Sequence, residues 1–210
     1  MRAYNALVNS DYSNEKSATT LANVPVAPSG LTITSTTKNK VFLAWTDSSG
    51  NELGFRIQRK KGATGTYTEI ATVDNDDTTY TDSDTTLLDG TQYYYKVCAY
   101  NSAGNSPFSN EVNGFTELAK PTSATATARS SSRIDLTWID NSVSETGYKI
   151  ERKKTANGTY AQIAQVGANV ESYSDTTGLE PNTKYYYRVR ATNATLNSDY
   201  SNEPSAVTFR

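Results

Sequence analysis

The chain contains a long stretch of itself twice. Val41 to Val73, VFLAWTDSSGNELGFRIQRKKGATGTYTEIATV, returns as Ile134 to Val166, IDLTWIDNSVSETGYKIERKKTANGTYAQIAQV. Trp45 corresponds to Trp138, a period of about 93 residues, roughly twice the length of a solenoid repeat. A unit of that size can enclose its own apolar interior, so the repeat predicts small independent domains in series.

Within each copy the apolar residues alternate. Val41, Leu43 and Trp45 share one parity, as do Phe55 with Ile57, and Tyr93, Tyr95, Val97 and Ala99. The second copy repeats this with Ile134, Leu136, Trp138, then Tyr148, Ile150, then Tyr185, Tyr187, Val189, Ala191. Period two is the signature of half-buried strands, and no window sustains a helical period. Turn residues at Ser49-Gly50, Gly62 to Gly65, Asp89-Gly90, Asn157-Gly158 and Pro181-Asn182 cut the runs into short antiparallel lengths. The three-residue spacing of Tyr67 and Ile70, and of Tyr160 and Ile163, predicts a bulge in one strand of each copy. The predicted class is all-β, with each copy an immunoglobulin-like sandwich around Trp45 or Trp138.

Composition removes several functions. There is no histidine, which takes away the commonest general base and metal ligand. Cys98 is the only cysteine, so no internal disulfide forms. A formal net charge of −2 gives no footprint for nucleic acid or anionic lipid. No run approaches the apolar length of a membrane span, and Met1-Arg2 is not followed by a signal-peptide core. With no G-x-S-x-G elbow and no phosphate-cradling glycine loop, the sequence predicts neither catalysis nor a cofactor.

The tryptophans in VFLAW and IDLTW, and the segment LEPNTKYYYRVRATN with Leu179, Pro181, Thr183 and Tyr185, resemble the fibronectin type III module. That resemblance makes Tyr93 and Tyr185 structural "tyrosine corner" residues and Trp45 and Trp138 core residues. The first corner reads LLDGTQYYY, with Asp89 where proline is expected, which predicts a slightly different turn. The W-T-D-x-S-x-N-E-x-G-[FY] phrase is similar to bacterial members found in secreted modular enzymes and surface proteins. An antibody-type domain fits poorly, for it needs a cysteine pair around its tryptophan.

The same resemblance accounts for the opening residues. Met1 to Thr20 aligns with strands F and G of both complete copies through Ala3, Asn5, Ser10, Tyr12, Ser13, Asn14 and Glu15. The implied organisation is the C-terminal hairpin of a third module at 1–20, a linker at 21–28, one module at 29–117 and another at 118–210. The hairpin has three readings: the cut end of an array, docking on a neighbouring sheet edge, or strand exchange with another molecule. The last copy owns a complete hairpin through Phe209, which argues against exchange.

Candidate sites are few. Asp47, Asn51 and Glu52, echoed by Asp140, Asn141 and Glu145, are expected to close loops through Asx turns; their order does not match a contiguous calcium loop. Asp74, Asp76, Asp77, Asp82 and Asp84 are read as a solvated acidic face, because the second copy keeps only Glu171 and Asp175. Arg59, Lys60 and Lys61, with Arg152, Lys153 and Lys154, are read as dispersed charges protecting a sheet edge. Tyr94 and Tyr186, with Phe108 and Tyr200 in the loops, are the candidate contacts for a partner or a glycan, and cross-strand covering of the sheet is their structural alternative. Cys98 has outward parity and no activating neighbour, giving an inert, partly covered thiol. Asn157 and Asn193 have glycan-acceptor form.

The function expected is a non-catalytic spacer and interaction segment of a secreted or cell-surface bacterial protein, its partners being neighbouring domains of the same polypeptide. The alternatives are a carbohydrate-binding accessory module of a polysaccharide-degrading enzyme, and a self-associating subunit joined through residues 1–20.

Overall fold

A computed structural model describes residues 1–17 and 23–210. The first module contains β1 (Ser29–Thr37), β2 (Lys40–Thr46), β3 (Gly54–Lys61), β4 (Thr68–Asp74), β5 (Thr79–Asp82), β6 (Gln92–Asn101), β7 (Gly104–Asn105) and β8 (Val112–Phe115). The second contains β9 (Thr122–Ser130), β10 (Arg133–Ile139), β11 (Gly147–Lys153), β12 (Ala161–Gly167), β13 (Ser172–Asp175), β14 (Lys184–Thr192) and β15 (Ser205–Val207). No helix occurs among the described residues, hence none long and apolar enough to cross a membrane.

Each module is two antiparallel sheets packed face to face. One sheet orders β1-β2-β5 in the first module and β9-β10-β13 in the second. The other orders β4-β3-β6, with β7 and β8 both pairing β6, and β12-β11-β14-β15. The inward residues are those of the sequence alternation: Val41, Leu43, Phe55, Ile57, Tyr95 and Val97 are at most 2% exposed. Trp45 meets Phe55 and Trp138 meets Tyr148 with ring centroids 5.6 Å apart in both modules and tilted planes. The two cores share no residue. The predicted bulge is present in both copies, since the pairing of β3 with β4 skips Ile70 and that of β11 with β12 skips Ile163.

Parity also places a charge inside each core. Arg59 continues the inward series of Phe55 and Ile57, and its guanidinium meets Asp82 at 2.8 Å. Asp82 is wholly buried and also accepts the Tyr95 hydroxyl at 2.9 Å. The second module repeats the triad with Arg152, Asp175 and Tyr187 at 2.7 and 2.9 Å. These observations correct two expectations. Asp82 and Asp175 belong to the interior and not to a solvated face, and Arg59 does not guard an edge, because β3 is paired on both sides.

Residues 1–17 form a hairpin with the hydrogen bonds of the other two. The Ala3 N–H donates to Ser10 Oγ and the Ser10 N–H returns to the Ala3 carbonyl, both at 2.9 Å. Ala99 with Ser106, and Ala191 with Ser198, do the same at 2.8–3.0 Å. Every residue from Met1 to Ser17 is exposed, so the hairpin does not dock on a sheet edge of either module. Residues 18–22, shared between the expected 1–20 hairpin and 21–28 linker, lie outside the described residues.

Ion pairs and buried tyrosines set the pH range of the fold. Arg133, Ser174 and Arg129 hold the Asp135 carboxylate at about 2. Burial pushes Glu151 up, but hydrogen bonds from Tyr200 and Arg188 outweigh it and hold it below the usual range. A carboxylate held low in the folded state stabilises above its unfolded pKa, and that stability is lost as pH falls through the folded value. Tyr95 and Tyr187 are held above the phenol range, first by burial and then by Asp82 or Asp175. Their contribution is complete below about pH 10 and is lost at higher pH. Chemical denaturation midpoints should therefore be flat from about pH 6 to 9, fall below about pH 4 and fall again above about pH 10. A transition near pH 6–7 would contradict the absence of histidine as the governing fact.

Candidate functional site

The most built polar site lies where the two modules meet. Asp89 sits in the corner before β6 and is 6% exposed. Its carboxylate accepts three hydrogen bonds from the far side of the junction: the Ala119 N–H at 2.9 Å, the Ser142 hydroxyl at 2.5 Å and the Val143 N–H at 3.1 Å. Leu118 and Ala119, in the connection, are 5% and 4% exposed. Asn193, from the loop after β14, donates its amide to the carbonyls of Gly90 and Ser144 at 3.4 and 3.3 Å. The amide nitrogen of that glycan-acceptor sequence is thus engaged at the junction, whereas Asn157 is exposed.

Asp89 does not alter the corner itself, which corrects the expectation of a different turn. Gly90 and Asn182 take the same left-handed angle, φ 54° and 51°. The Tyr93 hydroxyl accepts the Leu88 N–H at 2.9 Å, and the Tyr185 hydroxyl accepts the Glu180 N–H at 3.0 Å. Thr91 and Thr183 donate to the carbonyls of Asp89 and Pro181 at 2.9 and 3.0 Å. The backbone is the same with either residue, and only the carboxylate differs. Sequence reading noticed the missing proline but not what the carboxylate would reach, because its partners lie in the next repeat.

The candidate aromatics line the outer face of the β3-β6 and β11-β14 sheets under a layer of cations. Lys60 lies 4.6 Å from the centre of Tyr94, and Lys96 lies 3.8 Å from that of Phe108, which is 39% exposed. Tyr186 carries Lys184 and Lys153 at 5.0 and 5.2 Å. Tyr200 carries Arg188 at 3.7 Å and donates its hydroxyl to Glu151 at 2.8 Å. Arg188 lies at the same time 3.9 Å from the ring of Tyr160, forming a ring-cation-ring stack. The same covering layer corrects the reading of Cys98. It has outward parity but is 1% exposed, opposite Arg56 in the sheet, and burial pushes its thiol up despite the nearby guanidinium.

Residues 26–115 and 119–207 each match the Fibronectin type III domain family. The chain belongs to the fibronectin type III family. A two-domain fibronectin type III segment of chicken tenascin superposes with a TM-score of 0.73 over 86% of this chain and 99% of that one, at 16% identity, a likeness of fold. Among curated relatives, rat (Rattus norvegicus) Contactin-5 is 29% identical over 88% of this chain. The chain spans only 18% of that relative's length. The Amylopullulanase of Thermoanaerobacter thermohydrosulfuricus is 33% identical over 38% of the chain and 5% of its own length. The family match describes two fibronectin type III modules in series, a structural and interaction unit.

Proposed function

We propose that the chain is a non-catalytic spacer of a secreted or cell-surface protein, one that sets the orientation of its neighbours by locking successive fibronectin type III modules together. The observation that carries this reading is Asp89, a buried carboxylate whose three partners all lie beyond its own module's last strand. A flexible tether has no use for such a group, since it must be desolvated to act. The hairpin at 1–17, with its repeated serine bonds, supports a third module of the same series preceding the linker. A bacterial source is the finer reading; it rests on the W-T-D phrase and the amylopullulanase match, while the longer matches are to animal contactins. Polysaccharide recognition through Tyr94, Tyr186, Phe108 or Tyr200 is the weaker alternative, because sugars stack on open ring faces and these rings already carry cations. Association through residues 1–20 is weaker still, for each module already carries its own strand, β8 on β6 and β15 on β14, where a donated hairpin would insert.

The test is Asp89→Ala, which strands a buried hydroxyl and two N–H groups at a cost of about 1–3 kcal/mol. NMR alignment tensors of the two modules should coincide in the native chain and diverge in the variant, with both modules still folded. Independent tensors in the native chain would remove the spacer reading, and saturable binding to a polysaccharide lost in Tyr186→Ala would replace it.

A further inference from the structure

We propose that the first module holds a calcium ion between Asp47, Glu52 and Asp76, in a site that the second module has closed with a hydroxyl group. Asp47 and Glu52 come from the loop joining β2 to β3, and Asp76 from the turn joining β4 to β5. One carboxylate oxygen from each lies within 4.8 Å of the other two. Carboxylates so close repel unless a cation or proton donors sit among them.

What points to a ligand is Glu52. Its side chain belongs to a residue only 9% exposed, and Oε2 is buried with no hydrogen-bond partner among the described residues. A buried carboxylate oxygen left bare is costly, and the side chains that bring oxygens within 4.8 Å of the Glu52 carboxylate are themselves carboxylates, Asp47 and Asp76. Asp47 is half-buried and Asp76 exposed, which leaves an entry from solvent.

The second module supplies an internal control. Its corresponding residues are Asp140, Glu145 and Asn169, so one carboxylate is replaced by an amide. Tyr148 stands where the first module has Phe55, and its hydroxyl donates directly to Asp140 Oδ1. The Asn169 N–H donates to Glu145 Oε1 at 3.1 Å. At Phe55 and Asp76 the second module's residue adds a donor or removes negative charge, whereas in the first module Asp47 and Asp76 accept the Ser49 N–H at 2.9 Å and the Asn75 amide at 3.2 Å and Glu52 Oε2 accepts nothing. Asp76 keeps the left-handed angle of Asn169, φ 65° against 58°, so the backbone there is ready in both copies.

The chemistry of the set selects the ion. Three carboxylate oxygens from two loops, with no nitrogen or sulfur donor, suit a hard cation, and the loose arrangement open to water suits calcium better than the rigid octahedron of magnesium. Water completes the shell. Contiguous calcium loops take their ligands in sequence order, whereas this site draws on two loops far apart in the chain.

The experiment is calorimetric titration of the full chain with calcium chloride after chelator treatment, paired with scanning calorimetry. The expected result is one saturable site with a dissociation constant of about 10⁻⁴–10⁻³ M, in the range of extracellular modules, and a rise in the first module's melting transition alone. Asp76→Asn and Phe55→Tyr, each installing the second module's own residue, should weaken binding at least about tenfold with the fold intact, and Asp140→Asn should leave it unchanged. Absence of saturable binding up to about 10 mM calcium overturns the proposal, as does binding that survives both Asp76→Asn and Glu52→Gln, or magnesium binding as tight as calcium.

Discussion

Asp82→Ala is expected to unfold the first module selectively, and Asp175→Ala the second. Each aspartate is fully buried and receives an arginine and a tyrosine hydroxyl. Removing it strips the tyrosine hydroxyl of its acceptor and the arginine of its buried counter-charge, leaving Arg59 with Thr86 and Asp84 and Arg152 with the Thr177 carbonyl, which costs about 3–5 kcal/mol. For a domain of this size, that converts to a fall of roughly 12–40 °C in the melting transition of the affected module. Because the two cores share no residue, scanning calorimetry should show one transition displaced and the other nearly in place.

The loss does not mean that the ion pair is worth 3–5 kcal/mol to the native protein, on the order of which only the stranded partners are responsible. Arg59→Met, Asp82→Leu and Tyr95→Phe together should recover most of the stability, since no charge or hydroxyl is then left bare. Two outcomes would sink the account: an Asp82→Ala protein that melts like the parent, or a triple variant no better than the single one.

The triad was legible in the alternation, and it was missed for a reason that the residues make plain. Arg59 follows Phe55 and Ile57 at period two, and Tyr95 follows Tyr93, so the parity of both is inward, while Asp82 shares the parity of Tyr80, which packs against the core. Treating arginine and aspartate as surface residues overrode their parity. Cys98 is the inert thiol that its outward parity and lack of an activating neighbour suggest, but its cover is complete and not partial: it is 1% exposed, opposite Arg56 in the sheet. The tandem organisation, the tryptophan cores and the bulges at Ile70 and Ile163 were readable because each is written within one repeat. The Asp89 junction and the Asp47–Glu52–Asp76 cluster were not, because each joins segments whose proximity only the folded chain creates.

One small residue at the head of β3 and of β11 carries the second large effect. Gly54 and Gly147 each pair at the first rung with the neighbouring strand, opposite Asp74 and Gly167. A Cβ on Gly54 would lie 2.2 Å from the Val73 carbonyl oxygen, and one on Gly147 would lie 2.1 Å from that of Val166. Those oxygens belong to the partner strand's backbone, which cannot swing aside as a flexible side chain would. Gly54 also has φ 157°, at the margin of the range that side chains seldom adopt. Alanine at either position should therefore force the strands apart beside the core aromatic that follows, Phe55 or Tyr148. At Gly54 backbone strain of about 1–3 kcal/mol and a clash of about 1–3 kcal/mol give a loss of about 2–6 kcal/mol in the first module, whereas Gly147 carries the clash alone, about 1–3 kcal/mol in the second. Gly167→Ala is the matched control: it sits opposite Gly147 with nothing within 4 Å of the added atom, so its effect should stay within about 0.5 kcal/mol. Urea denaturation of the three variants tests the point, and a Gly147→Ala protein as stable as Gly167→Ala would show that the strand pairing yields where the close approach says it cannot.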